Sequence, residues 1–334
     1  MQLLCGDIGG TKTLLQRVRV EDGLIEVLAE QRFASGHYPR FDLILAEFLD
    51  TQSDRDAIGA ACFGVAGPVI QTPDGETATI TNLPWQMDSQ DLAQAFQLPR
   101  VALINDLQAV GHGIEALPDS DFLTLQTGRP QARGNRLVIG AGTGLGLAQM
   151  VWSAEEYRVL ATEAGHADFA PADAEQLKLV EYMIRRHGRC SVEFIVSGPG
   201  LGNIFAYLAE RAGPEFAAQV QSVMQAPDRA AAIARAADEA DGGPAREAVD
   251  LFMRAYGGQA GNFALACLPM GGVYIAGGIA AKNSHRLQAG GFIQAFNAKG
   301  KMAKLMQTIP VSVVTNAAVG LLGSRVYAQK ISKD

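Results

Sequence analysis

The sequence predicts an α/β protein of two related lobes with a cleft between them. Three observations carry this. Strand and helix signals alternate through the first third of the chain. A unit of strand, glycine turn and returning strand occurs twice, near the start of each half. The 334 residues suffice for about two domains, and with 48% hydrophobic against 19% charged residues each can bury a sizeable core.

The elements follow in order. Residues 3–7 are a short apolar run ended by Gly9 and Gly10. Residues 13–20 and 24–32 read as strands joined through Glu21-Asp22-Gly23, a hairpin signal. Residues 41–49 have helical apolar spacing, and 57–65 form a buried strand closed by Gly67-Pro68. Residues 88–96 are a helix with Asp88 as N-cap. Residues 101–104 are a strand, followed by a helix from Asp106 to about 117. The second unit has a strand at 136–139, a glycine loop at 140–146 and a returning strand at 147–152, mirroring 3–7, 9–12 and 13–20. Residues 172–268 read as mostly helical, with an exposed alanine-rich helix at 228–240 and a turn at 241–244. Strands at 272–276 and 311–314 precede a closing helix at 316–329.

Composition excludes several classes. Asp plus Glu number 35 against 28 Lys plus Arg, a net charge of −7, which disfavours a nucleic-acid binder and suits a cytoplasmic enzyme. Cys5, Cys62, Cys190 and Cys267 are dispersed along the chain, so neither a disulfide framework nor a zinc site is expected. No basic n-region with an apolar h-region opens the sequence, so no secretory signal is expected. Residues 255–281 carry no charge and are long enough to span a bilayer. Pro269, Gly271-Gly272 and Gly277-Gly278 interrupt them, so the reading is a buried helix, a turn, a buried strand and a glycine loop, with no membrane span.

Six local patterns carry chemistry. Asp7-Ile8-Gly9-Gly10-Thr11-Lys12-Thr13 follows a strand, and adjacent glycines let backbone N–H groups approach phosphate oxygens. Asp7 is placed to hold water around Mg²⁺. A plain Gly-Gly hairpin turn reads the same way, and Lys12 reads as a solvated surface lysine. Neither a Walker A loop nor GxGxxG is present. The second pattern is Gly140-Ala141-Gly142-Thr143-Gly144-Leu145-Gly146, open to close ligand approach or an ordinary glycine turn. The third, Gly277-Gly278-Ile279 after a strand, leaves room for an adenine ring or starts a helix. The fourth, Asn105-Asp106, stands at the carboxyl edge of a strand, where α/β sheets bind ligands. Its carboxylate can accept a hydroxyl proton, or Asp106 is simply an N-cap. The fifth is Glu163-Ala164-Gly165-His166, whose Glu and His can face one small polar ligand. The sixth is Glu193 before Ser197-Gly198-Pro199-Gly200, where one helix breaks and another starts.

The order of these patterns, with Gly64-Val65-Ala66-Gly67-Pro68 and Thr81-Asn82-Leu83-Pro84-Trp85 between them, resembles the bacterial glucokinases. That group lies within the sugar kinase/actin/Hsp70-like ATPase superfamily, with its ribonuclease H-like lobes, and the resemblance runs over nearly the whole chain. It implies transfer of the γ-phosphoryl group of ATP to the 6-hydroxyl of glucose, with Mg²⁺. It implies Asp106 as catalytic base, and Asn105, Asp106, Glu163, His166 and Glu193 as sugar ligands. Gly6, Asp7, Ile8, Gly9, Gly10 and Thr11 correspond to the first phosphate loop. Gly142, Thr143 and Gly144 correspond to the second, and Gly277 and Gly278 lie near the adenosine contacts. The lobes implied are 1–116 with 312–334, and 117–311, and a homodimer through the larger one is expected.

The sugar kinases and repressors of the ROK family share DIGGTK and an ExGH motif, but their His is a zinc ligand beside a cysteine-rich segment. Here no cysteine follows His166 before Cys190, so zinc is not expected. A repressor of that family would also call for a helix-turn-helix domain ahead of the first strand, where six residues precede Asp7. Ala164 stands where the glucokinase pattern has glycine, which puts the Glu163 contact in question. A kinase for another hexose, such as mannose, fructose or an N-acetylated amino sugar, and a non-enzymatic ATP switch of the actin or Hsp70 type remain alternatives.

Overall fold

The computed structural model describes residues 1–51, 57–239 and 242–333. Ala240 of the expected alanine-rich helix and Asp241 of the turn after it lie outside the described residues. The chain opens with β1 (Gln2–Ile8), β2 (Lys12–Glu21), β3 (Leu24–Ala34), α1 (Phe41–Asp50), β4 (Ile58–Val65), β5 (Val69–Thr72), β6 (Gly75–Thr79), β7 (Gln86–Asp88), α2 (Ser89–Phe96), β8 (Val101–Asn105) and α3 (Asp106–Ile114). It continues with β9 (Phe122–Gln126), β10 (Arg136–Ala141), β11 (Leu145–Ser153), β12 (Glu156–Thr162), α4 (Ala174–His187), α5 (Gly198–Ala209), α6 (Ala217–Gln225), α7 (Arg229–Glu239) and α8 (Pro244–Cys267). Last come β13 (Gly272–Ala276), α9 (Gly278–Lys282), α10 (Ser284–Gln288), α11 (Gly291–Asn297), α12 (Ala303–Met306), β14 (Val311–Val314) and α13 (Val319–Ile331).

Two units result, Met1–Asp119 with Ala317–Asp334, and Ser120–Asn316. In the first, the sheet order is β3-β2-β1-β4-β8. β1 runs antiparallel to β2 and parallel to β4, and β4 parallel to β8. The Asp22-Gly23 turn has both φ angles positive, as a two-residue hairpin loop requires. Successive residues of a strand face opposite ways. Leu4, Ala61 and Leu103 therefore pack with Phe41, Phe48 and Trp85 on one face, and Leu3, Cys62 and Ile104 with Ala109 of α3 and Ala328 of α13 on the other. Burial on both faces is why these strands read as continuous apolar runs. Cys5 and Cys62, distant in sequence, are register partners on β1 and β4, yet both are free. Burial pushes the Cys5 thiol up to about 12, so it stays protonated at neutral pH.

The second unit repeats the plan. Its sheet order is β12-β11-β10-β13-β14-β9, antiparallel from β12 to β10 and parallel from β10 to β14. Only β9, antiparallel to β14, has no counterpart in the first. Because β14 pairs with β13 and β9, it stays with this unit, so the crossing back falls at 316/317 rather than at the expected 311/312. One core joins Ile139 and Ile275 of the sheet to Phe205, Phe252, Tyr256 and Phe292 of the helices. Residues 255–281 form the end of α8, β13 and the start of α9, and among the described residues no helix is long and apolar enough to cross a membrane.

Candidate active site

In the first unit the carboxyl ends of three parallel strands come level. Ile8 pairs with Val65 and Val65 with Asn105, so Asp7, the Ala66-Gly67 turn and Asn105-Asp106 share one sheet edge, where α/β sheets bind ligands. The stretch from Gly6 to Thr11 is not a loop throughout. Gly6 and Ile8 are buried in β1, and Gly6 abuts Leu15 and Phe63. Only Gly9–Thr11 turn. That turn is tied down: the Gly9 N–H donates to the Lys12 carbonyl (3.0 Å), and the Ser35 N–H to the Thr11 carbonyl (3.1 Å). The Ser35 hydroxyl donates to the Gly9 carbonyl (2.7 Å). Its one hydrogen is then used, so Thr13 donates to it (3.0 Å). Asp7 is recessed at the strand end. Desolvation holds its carboxyl above the usual range, and the charge of Lys12 partly opposes this.

The N-cap of α3 is Asn105, not Asp106. The Asn105 Oδ1 accepts from the N–H groups of Leu107 (3.0 Å) and Gln108 (3.4 Å). Its Nδ2 donates to the Gly67 carbonyl (3.1 Å) and keeps a second hydrogen. Asp106 is thus the first helical residue, half-buried, with Oδ1 accepting from the Leu107 N–H (2.8 Å). A helix start favours negative charge there. Gly67 has no room for a side chain, because a Cβ would meet the Thr79 carbonyl.

In the second unit the glycine loop is shorter than 140–146: Gly140 and Ala141 end β10, β11 starts at Leu145, and only Gly142, Thr143 and Gly144 turn. The Gly142 N–H donates to the Gly144 carbonyl (2.8 Å), and the Gly198 N–H to the Gly142 carbonyl (2.8 Å). Gly277 follows β13 at φ +88°, where a Cβ would stand 2.6 Å from the Ala141 carbonyl oxygen, and Gly278 starts α9. Around Gly142 and Gly278 a Cβ would meet nothing within 4 Å, so both backbones are open to a ligand.

Glu163 precedes and His166 ends a short 3-10 turn, Ala164–His166, with Oε2 and Nε2 3.9 Å apart and both side chains exposed. Ala164 lies in that turn, outside the left-handed region, so its methyl adds no backbone strain. Gly165 is the position that needs glycine, since a Cβ would fall on the Leu145 carbonyl. Glu193 is half-buried. Its Oε2 accepts from the Leu145 N–H (2.9 Å), and its own N–H donates to the Gly165 carbonyl (2.9 Å). Ser197 is the N-cap of α5, Gly198-Pro199-Gly200 are the first residues of that helix, and no helix breaks there, since 188–197 are not helical.

Three residues support the site, and two of them, Ser35 and Arg189, carried no signal in the sequence. Ser35 pins the first glycine turn. The Ser197 hydroxyl donates to the Glu193 carbonyl (2.7 Å). Arg189 donates to the His166 carbonyl (2.8 Å) and to Asp168 (2.8 Å). The partners of Ser35 and Arg189 lie more than 20 positions away and are set by the tertiary fold, whereas Ser197 reaches back four residues to Glu193. Among the described residues no cluster of three His, Cys, Asp or Glu could hold a metal ion. A cation held through its own waters by a single carboxylate needs no such cluster.

The Glucokinase family model matches residues 4–331 of the chain. The glucokinase of Nostoc sp. strain PCC 7120 is 39% identical over 98% of this chain and 99% of its own. Among solved structures, the chain is similar to a glucokinase from an Antarctic psychrotroph, with TM-score 0.82, 26% identity and coverage of 98% and 99%. It shares the fold of the Balamuthia mandrillaris glucokinase solved in complex with glucose, with TM-score 0.79, 23% identity and coverage of 98% and 93%.

Proposed function

The chain belongs to the glucokinase family, and we propose that its reaction, ATP-dependent phosphorylation of glucose to glucose 6-phosphate, runs through Asp106 as the base. The observation that carries this is the Asn105–Asp106 turn, a carboxylate fixed at a helix start beside an amide with one N–H to spare. Phosphoryl transfer has a loose transition state, so the protein mainly positions groups and stabilises charge. Asp106 takes the 6-hydroxyl proton as the oxygen attacks the γ-phosphorus and the bond to ADP breaks. Asn105 directs that hydroxyl, and Glu163, His166 and Glu193 hold the other hydroxyls. Gly9–Thr11, Gly142–Gly144 and Gly277-Gly278 receive the nucleotide. Asp7 would hold Mg²⁺ through water, and the ion supplies charge neutralisation at the phosphates.

A homodimer and a cytoplasmic location complete the proposal. On α4, Leu177 and Ile184 are exposed and lie one helical face with half-buried Val180, an apolar stripe suited to a second copy. The cytoplasm supplies the ATP.

The test is glucose-dependent ADP release in a coupled assay, with mannose, fructose and N-acetylglucosamine in parallel. Glucose turns over fastest, a zinc-selective chelator with Mg²⁺ in excess leaves the rate unchanged, and EDTA abolishes it until Mg²⁺ is restored. Preference for another hexose, or stoichiometric zinc in the purified protein, would sink the corresponding part. Because Arg189 clamps the His166 carbonyl, Arg189→Ala raises the KM for glucose about threefold and leaves that for ATP unchanged, the scale of an exposed charged contact. Unchanged KM values for both would remove Arg189 from the sugar site.

A further inference from the structure

We propose that Glu193 is a joint between the sugar segment and the second phosphate loop, a positioning residue for nucleotide as well as a sugar ligand. The inference rests on the reading of Gly142–Gly144 as a phosphate loop, and goes beyond it. Three bonds converge on this residue. Its carboxylate Oε2 accepts from the N–H of Leu145, the first residue after the loop (2.9 Å). Its N–H donates to the carbonyl of Gly165, between Glu163 and His166 (2.9 Å). Its carbonyl accepts from the hydroxyl of Ser197, whose oxygen also caps α5 by accepting from the Gly200 N–H (2.9 Å).

The loop is shaped around the carboxylate. A Cβ at Gly144 would stand 2.6 Å from Oε2, so a side chain there would push the carboxylate from its present place on the Leu145 N–H. Gly165 likewise admits no side chain against the Leu145 carbonyl. The sugar segment, Glu193 and the loop therefore form one close-packed layer around Leu145, which is itself 6% exposed. A buried N–H left without its acceptor costs more than the bond contributes, so loss of the acceptor disfavours this shape of the loop. Oε2 serves the loop, and Oε1 is left to accept from a sugar hydroxyl. A sugar bound to Oε1 then restrains the carboxylate that holds the loop, and the two ligands bias each other reciprocally.

The experiment is calorimetric titration of a non-hydrolysable ATP analogue into sugar-free protein: wild type, Glu193→Ala, Glu193→Asp and Glu193→Gln. A residue that only grips sugar leaves all four affinities equal. The joint predicts about tenfold weaker nucleotide binding for alanine and for aspartate, whose carboxylate falls short of the Leu145 N–H. Glutamine keeps an oxygen acceptor for that N–H and stays within about twofold of wild type for nucleotide. Its NH₂ group replaces a sugar acceptor, so its glucose KM still rises. Nucleotide affinities within twofold across the set, or glutamine as weak as alanine, would overturn the joint. If alanine does not fold, aspartate against glutamine decides alone. Wild type that binds the analogue but phosphorylates no hexose would overturn the functional reading and leave this comparison intact, whereas wild type that binds no nucleotide overturns the loop assignment and the joint with it.

Discussion

Asp106→Ala lowers kcat by roughly 10²–10⁴-fold, the range expected when a positioned general base is lost, while glucose still binds. The side chain sits on the first residue of α3, and its placement does not depend on its own capping. Asn105 caps the helix, through Leu107 and Gln108, and is itself tethered to the Gly67 carbonyl. Alanine at 106 therefore removes the carboxylate and leaves the turn standing. Alanine also has high helix propensity, so stability changes little. A fall in kcat with intact glucose binding is the signature of a group acting in the transition state. Glucose titration followed by tryptophan fluorescence, alongside the coupled assay, separates the two quantities. Turnover above about half of wild type would return Asp106 to a purely structural role.

Much of the fold was legible because its signals are local. Gly272–Ala276 and Val311–Val314 are apolar runs between breakers, and the structure begins and ends both at the expected residues. Asp88 caps α2 through the N–H groups of Gln90 and Asp91. The missed elements lack such signals. β5, β6 and β7 are short and partly polar, and form a small separate sheet. The turn between β11 and β12 is Ala154-Glu155, with φ of 51° and 66°. Neither residue is the Gly, Asn or Asp that announces such a hairpin, so β12 went unread. β9 is an edge strand whose partner, β14, lies far along the chain.

The candidate site divides in the same way. Residue types at the strand ends could be read from the sequence, because glycines, an Asn-Asp pair and a Glu/His pair are unusual there. Their partners could not. Glu193 meets Leu145 across 48 positions, Asn105 meets Gly67 across 38, and Ser35 meets Gly9 across 26. Asp106 read equally well as N-cap, and the bonds of Asn105 give the capping role to Asn105.

Gly323→Ala destabilises the first unit by about 3 kcal/mol or more, the upper range for overpacking, and lowers kcat in the protein that still folds. Gly323 lies inside α13, where alanine would ordinarily gain about 1 kcal/mol in helix propensity. The packing reverses the sign. α13 and α3 meet backbone to backbone: a Cβ at Gly323 would fall on the Ala109 carbonyl oxygen, 2.6 Å from its carbon and 2.7 Å from the Gly113 nitrogen. No rotamer change relieves a clash with main chain, so the helices must separate by about 1 Å or more to restore ordinary contact. Both helices serve the site. Asp106 is the first residue of α3, three positions before Ala109, and Ser324 on α13 donates to the carbonyl of Gly6, next to Asp7 (2.9 Å). A shift of about 1 Å in a reacting group can reduce turnover about 10²-fold, so the activity loss exceeds what the folded fraction accounts for. Thermal unfolding should show Tm lower by roughly 6–12 °C. Gly202→Ala on α5 is the control. A Cβ there meets nothing within 4 Å, so the same change should hold or raise Tm, by up to about 1 kcal/mol of stability. A Gly323→Ala protein that melts with wild type and turns over normally would mean that α3 and α13 do not approach as closely as their glycines allow, and that Asp106 is not placed through their contact.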